Sequence, residues 1–236
     1  MQIKDKLFMD HNALHEYGPI TIVAFGDSVT HGALTDGEYH FDTVYWNLLR
    51  KRLFEIRNDI PVNVINAGIA GTTARQSLSR LEAQVLTHRP DLVIVCFGLN
   101  DINGAIEDFL SSLKTIFEEC KKNGADVIYM SPNMLNTYVA EDTPPGYEEY
   151  AAKLADFQSC GKMDLYIESA MKLANDNGIT VCDCYNEWKK LSKTKDTTLL
   201  LCNRMNHPCK EMHTLFADML FDIIAKDIPR QKKTEK

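Results

Sequence analysis

Five short apolar runs recur along the chain, each separated from the next by a longer stretch of mixed polarity. They are TIVAF (21–25), VNVINA (62–67), DLVIVCF (91–97), DVIYMS (126–131) and ITVCD (179–183). Their near-continuous hydrophobicity suits strands covered on both faces; a strand with one wet face would alternate apolar and polar positions. Between them, TVYWNLLRKRLFEI (43–56), TARQSLSRLEAQVL (73–86) and AIEDFLSSLKTIFEECKKNG (105–124) carry apolar residues three and four apart, the spacing of one helix face. Asn123-Gly124 reads as a helix stop before the fourth strand. Two more helices are expected over 148–175 and 209–227. Strands alternating with helices predict an α/β protein, a three-layer α/β/α sandwich around a mostly parallel five-stranded sheet with right-handed crossovers.

A chain of 236 residues fits one domain, 1–236, with ample length for a large core. The net charge of -7 argues against a nucleic-acid partner, which would need clustered excess lysine and arginine. The basic stretch RQKKTEK (230–236) reads as a solvated terminus. No apolar segment reaches signal-peptide or membrane-spanning length, so no membrane association and a cytoplasmic location are expected. Seven cysteines, an odd number, favour free thiols in a chain of this size. Cys182 and Cys184 form CxC, but no second pair completes a zinc-site spacing.

Three of the strand ends carry polar and glycine-rich residues. They are Gly26-Asp27-Ser28, Asn66-Ala67-Gly68-Ile69-Ala70-Gly71 and Gly98-Leu99-Asn100-Asp101. In a parallel sheet all three meet on one rim, where folds of this class bind ligands. Asn206-His207-Pro208 precedes the last predicted helix, which can set a histidine over that rim. Each piece alone is an ordinary turn; together they bring a serine, two glycine-bearing loops, an asparagine and a histidine to one rim. The irregular stretch 131–150 follows the fourth strand and should lie on the same edge.

In these blocks the chain resembles the SGNH, or GDSL-type, hydrolases. GDS matches the family's nucleophile motif, NAGIAGTT its glycine block, FGLND its GxND block and NHP its histidine block, in order, over about 20–225. The resemblance implies a flavodoxin-like sheet and ester hydrolysis, a chemistry that needs no metal or organic cofactor. It makes Ser28 the nucleophile and His207 its base. The Ser28 N–H, the Gly71 N–H and the Asn100 amide would be the oxyanion donors. Such roles suit the chemistry, because a serine hydroxyl needs an imidazole to take its proton and the developing carbonyl charge needs fixed donors. Asp27 and Asp101 are expected to organise their loops rather than act in catalysis, and His213 to pack locally.

The chain departs from the family at the acid, which is usually an aspartate three residues before the histidine. Arg204 stands there, and a guanidinium accepts no hydrogen bond. A Ser28–His207 dyad is therefore expected, with a neutral acceptor on the imidazole: the Asn203 amide or a main-chain carbonyl near 203–205. A displaced acid, Asp183 or Glu211, is the alternative. Arg204 either pairs with an aspartate or joins His31 in the substrate pocket. Asn133, Asn136, Tyr138 and Tyr147 give 131–150 a polar character that suits a sugar alcohol better than a lipid chain. The resulting expectation is a serine esterase removing small acyl groups, above all O-acetyl groups, from a small-molecule or oligosaccharide ester. The alternatives are a lipase- or lysophospholipase-like acylhydrolase, or a catalytically weakened carbohydrate-binding protein on the same fold.

Overall fold

The computed structural model describes residues 2–35 and 37–226; the basic stretch 230–236 lies outside them. All five predicted strands form: β1 (Ile20–Gly26), β2 (Val62–Gly68), β3 (Leu92–Cys96), β4 (Asp126–Met130) and β5 (Thr180–Cys182). They pair in the order β2-β1-β3-β4-β5, every neighbouring pair parallel. β3 is buried at every position and β1 at all but one, which accounts for their unbroken apolar runs.

Helices cover both faces. From β1 the chain crosses through α3 (Ser28–His31) and α4 (Tyr45–Ile56) to β2, and α10 (Lys210–Ala225) packs on α4. From β2 onward it returns across the sheet through α5 (Ala74–Gln84), α6 (Ile106–Lys122), α7 (Glu148–Ser159) and α8 (Lys162–Asp176), with α6 against both α5 and α8. Two N-terminal helices, α1 (Gln2–Leu7) and α2 (His11–Tyr17), precede the sheet, and α9 (Cys184–Leu191) follows β5. The strand order reverses between β1 and β3, so the loops after these two strands part and leave a crevice at their carboxyl ends. Ser28, the first residue of α3, and Asn100 follow those two strand ends.

The single helix expected over 148–175 is two helices, α7 and α8, broken at Cys160-Gly161. Gly161 has φ +79°, a conformation that glycine adopts without a side-chain clash, and it turns the chain between them. Asp183 does more than end β5: its carboxylate caps α9 by accepting from the Asn186 N–H at 3.1 Å.

Candidate active site

α3 begins where β1 ends. Asp27 is its N-cap, accepting from the Val29 N–H at 3.0 Å, and Ser28 is its first residue. This one-turn helix sits tightly over the ends of β1 and β2. A side chain at Gly68 would come within 2.3 Å of the His31 nitrogen, so only glycine allows that approach. The loop after β2 is tied to the helix by Asn66 Nδ2, which donates to the His31 carbonyl at 3.1 Å. The Ala70 N–H donates to His31 Nδ1 at 3.3 Å. Arg80, on α5, reaches under both strand ends: its guanidinium donates to the Gly26 carbonyl at 3.0 Å and to the Ala67 carbonyl, and lies over the Phe25 ring. Burial lowers its pKa to about 10, which still leaves it charged at neutral pH.

The Ser28 hydroxyl lies 3.0 Å from His207 Nε2. On the far side of the ring, His207 Nδ1 lies 3.0 Å from the main-chain oxygen of Leu34. A carbonyl can only accept, so Nδ1 carries the proton and Nε2 presents its lone pair to Ser28. Burial lowers the His207 pKa below its ordinary value, opposed by the bond to Leu34. The neutral ring is the form this environment favours.

Neither expected orienter holds that ring. Asn203 supports the histidine's backbone instead: its Oδ1 accepts from the N–H groups of Met205, Asn206 and His207 at 3.1, 3.0 and 2.9 Å. The amide is used up in closing this turn. Asp183 binds Asn186 and lines a cleft with Asp164 and Lys189 to which neither Ser28 nor His207 contributes. The acceptor is main chain, as one of the expected options had it, but it belongs to the segment after α3 rather than to 203–205.

Arg204 is turned away from the imidazole. Its backbone is left-handed, with φ +59°, and its guanidinium binds the Asp142 carboxylate through Nε at 2.9 Å and Nη2 at 2.8 Å. Nη1 takes the carbonyls of Leu199 and Leu201. Arg204 thus clamps the 137–147 segment to the histidine loop, and its donors are engaged in that clamp. The 131–150 stretch is also drier than its composition suggested. Asn133 and Asn136 are fully buried and bind backbone carbonyls, Asn133 that of Asn206 at 2.9 Å and Asn136 those of Tyr138 and Ala151. They anchor the loop rather than face a ligand.

Of the expected oxyanion donors, the Ser28 and Gly71 N–H groups donate to no protein acceptor among the described residues. Gly71 has φ +77° with open space where a side chain would stand. Its backbone conformation, not close approach, requires glycine. Asn100 directs one amide hydrogen to the Thr72 carbonyl at 3.1 Å, tying the third block to the second. Asp101 accepts from the Ala74 N–H at the start of α5. His31 lies one turn beyond Ser28, half-buried, with its ring 4.6 Å from that of Tyr39. His213 is buried in α10, accepts from the Tyr45 N–H, and burial drives its pKa down to about 3.

Residues 24–215 match the GDSL-like Lipase/Acylhydrolase family. The chain belongs to that family. It is 30% identical over 149 residues to an arylesterase of Vibrio mimicus, a match spanning 62% of this chain and 71% of that protein. Over 213 residues it is 22% identical to an acetylxylan esterase of Geobacillus stearothermophilus, 83% of this chain and 90% of the relative. A crystal structure of an acetylxylan esterase from the same organism superposes with a TM-score of 0.69 at 20% identity, covering 90% of this chain and 97% of that one. The family and these relatives support a serine ester hydrolase activity. Among the described residues, no helix is long and apolar enough to cross a membrane.

Residues that composition and motif did not single out complete the arrangement. Leu34 contributes a carbonyl, which has no side-chain signature at all. Arg80 stands in an α5 sequence that carries a second arginine, Arg75, and nothing in the pattern separates the two; Arg75 pairs with Asp108 at the surface.

Proposed function

We propose that the protein is a serine esterase that removes small acyl groups, in particular O-acetyl groups, from a carbohydrate or glycoside. The contact that carries this reading is the Ser28–His207–Leu34 relay, two 3.0 Å steps that set a hydroxyl against the lone pair of a correctly protonated imidazole. Ser28 Oγ adds to the ester carbonyl while Nε2 takes its proton. The Ser28 and Gly71 N–H groups and the Asn100 amide receive the oxyanion. The tetrahedral species collapses, Nε2 returns the proton to the departing alcohol, and an acyl-Ser28 ester remains. Water then adds with His207 again as base, the acyl–Oγ bond breaks as Nε2 returns the proton to Ser28, and the carboxylic acid leaves.

The preference for acetyl on sugar draws on the acetylxylan esterase relative and its shared fold. We place the protein in the cytoplasm on its seven free cysteines, which suit a reducing compartment. Ser28→Ala tests the reading: the folded variant should lose acetyl-ester turnover and the covalent mark left by a phosphonate probe. Turnover at the wild-type rate in that variant overturns it.

A further inference from the structure

Exposed aromatic residues are scattered over the surface, and most stand alone. Phe8, Tyr17, Phe54, Tyr138 and Tyr147 are exposed and take part in no ring pair among the described residues. Tyr39 and Phe41 differ. Both are exposed, at 42% and 51%, and both associate with the same ring, His31, at centroid distances of 4.6 and 6.3 Å. Scattered apolar side chains need no explanation, whereas three contiguous rings beside a nucleophile do.

The location ties these rings to the reaction. His31 follows Ser28 by three residues on α3, the spacing that places two side chains on one helix face. Its Nδ1 accepts from Ala70, next to Gly71, so Nε2 carries the hydrogen and remains a donor. Tyr39 pairs through a backbone bridge with Ala33, in the same hairpin whose Leu34 carbonyl holds His207. The rings and the relay therefore share one short segment and one helix.

We infer that His31, Tyr39 and Phe41 form a stacking platform for the sugar ring on the alcohol side of the scissile ester. This rests on the esterase reading above and names the part of the substrate that reading leaves without a partner. A pyranose with equatorial substituents presents a flat face of C–H groups, which complements the negative face of an aromatic ring. The rim is polar: the His31 Nε2–H, and the exposed Glu38 carboxylate paired with His40 at 2.9 Å, can meet ring hydroxyls. An alkyl chain would use the rings and waste the rim.

The test compares wild type with Tyr39→Ala, Phe41→Ala, the double variant and Tyr39→Phe. Two substrates are used: acetylated methyl β-xylopyranoside, and ethyl acetate, which has no ring. In the double variant the kcat/KM ratio of acetylated xyloside to ethyl acetate should fall at least tenfold, mainly through KM. Tyr39→Phe should keep the ratio within twofold. An equal loss on both substrates, which a displaced His207 would produce, overturns the platform. Saturation-transfer NMR with unesterified methyl β-xylopyranoside reads the same contact without hydrolysis. Ring-proton signals should appear with wild type and vanish with the double variant. A wild type that shows these signals but leaves the acetylated xyloside intact keeps the platform and overturns the esterase reading. Absence of sugar signals from wild type, or their persistence in the double variant, overturns the platform itself.

Discussion

Leu34 offers His207 a peptide oxygen that accepts a hydrogen bond and can never donate one, so it fixes the imidazole tautomer as firmly as a carboxylate would. In a protease triad, replacing aspartate by asparagine costs about 10⁴-fold because the ring takes the wrong tautomer. In the proposed relay the Leu34 carbonyl holds the tautomer that a base needs; what it lacks is full charge against the imidazolium. The consequence is visible in pH dependence. Burial lowers the His207 pKa, so the neutral base persists below its ordinary 6.5. With a short-chain acetyl ester, kcat/KM should reach half its plateau below pH 6.5 and stay level to about pH 8. A half-rise above that value would reveal a charged partner on the ring. Asp183→Asn should lower kcat less than about tenfold, roughly 1.4 kcal/mol, since that residue caps α9 and the relay does not include it. Nor should Arg204→Asp build a triad. The new carboxylate would face Asp142 across a lost clamp, so kcat should not rise and the pH profile should not shift upward. A gain in kcat with a raised half-point would show that the turn can redirect its side chain to the ring.

Among the elements, the strands were the most legible part of the chain, because burial on both faces leaves an apolar run that few other structures need. Their bounds in the fold lie close to the ends of those runs. The α7–α8 break was harder to see, since both helices present apolar faces and only Gly161 marks the corner. α3 is a single turn, too short for any periodicity, and it was legible only through the GDS block that opens it; Ser28 does lie at bonding distance from His207. What pattern could not show was which main-chain groups these elements aim inward: the Leu34 carbonyl, or the strand-end carbonyls that Arg80 gathers. Arg80 makes the element-scale prediction. A planar fork reaches Gly26 and Ala67 together and stacks on Phe25, and an ammonium group has no such geometry. Arg80→Lys should destabilise the fold by about 1.5–3 kcal/mol, the usual worth of a lost charged hydrogen bond. Because α3 rests on those strand ends, kcat should fall as well. Urea unfolding and ester kinetics on one preparation check both, and a variant with unchanged stability would show that the fork is dispensable.

The whole molecule carries ionisable groups in its interior that pull its stability in opposite directions with pH. His213, held near pKa 3 by burial, stays neutral in the fold while the unfolded chain takes up a proton near 6.5. Its contribution is lost as pH falls through that window. Asp27 behaves the other way. Burial raises its pKa to about 7, with the nearby charge of Asp101 adding to the effect, and one of its oxygens has no hydrogen-bond partner among the described residues. Below pH 3.8 it is protonated in both states and contributes nothing to the difference. Between 3.8 and 7 the unfolded chain has released this proton and the fold has not, so stability falls as pH rises, and above 7 the loss is complete. A shift of this size corresponds to a cost on the order of 4 kcal/mol. The substitution Asp27→Asn keeps an amide oxygen for the Val29 N–H, and asparagine caps a helix as well as aspartate does, without a charge to bury. Titration of His213 and of the other distant groups is common to both proteins and cancels in their difference. The variant should therefore match wild type near the low end of that window and exceed it by about 4 kcal/mol above its upper end, with the gap opening between 3.8 and 7. Urea unfolding at intervals across that range measures it. A gap that stays constant with pH would mean that Asp27 titrates as an ordinary carboxyl, and that the crevice at the head of the sheet is built without a stability cost.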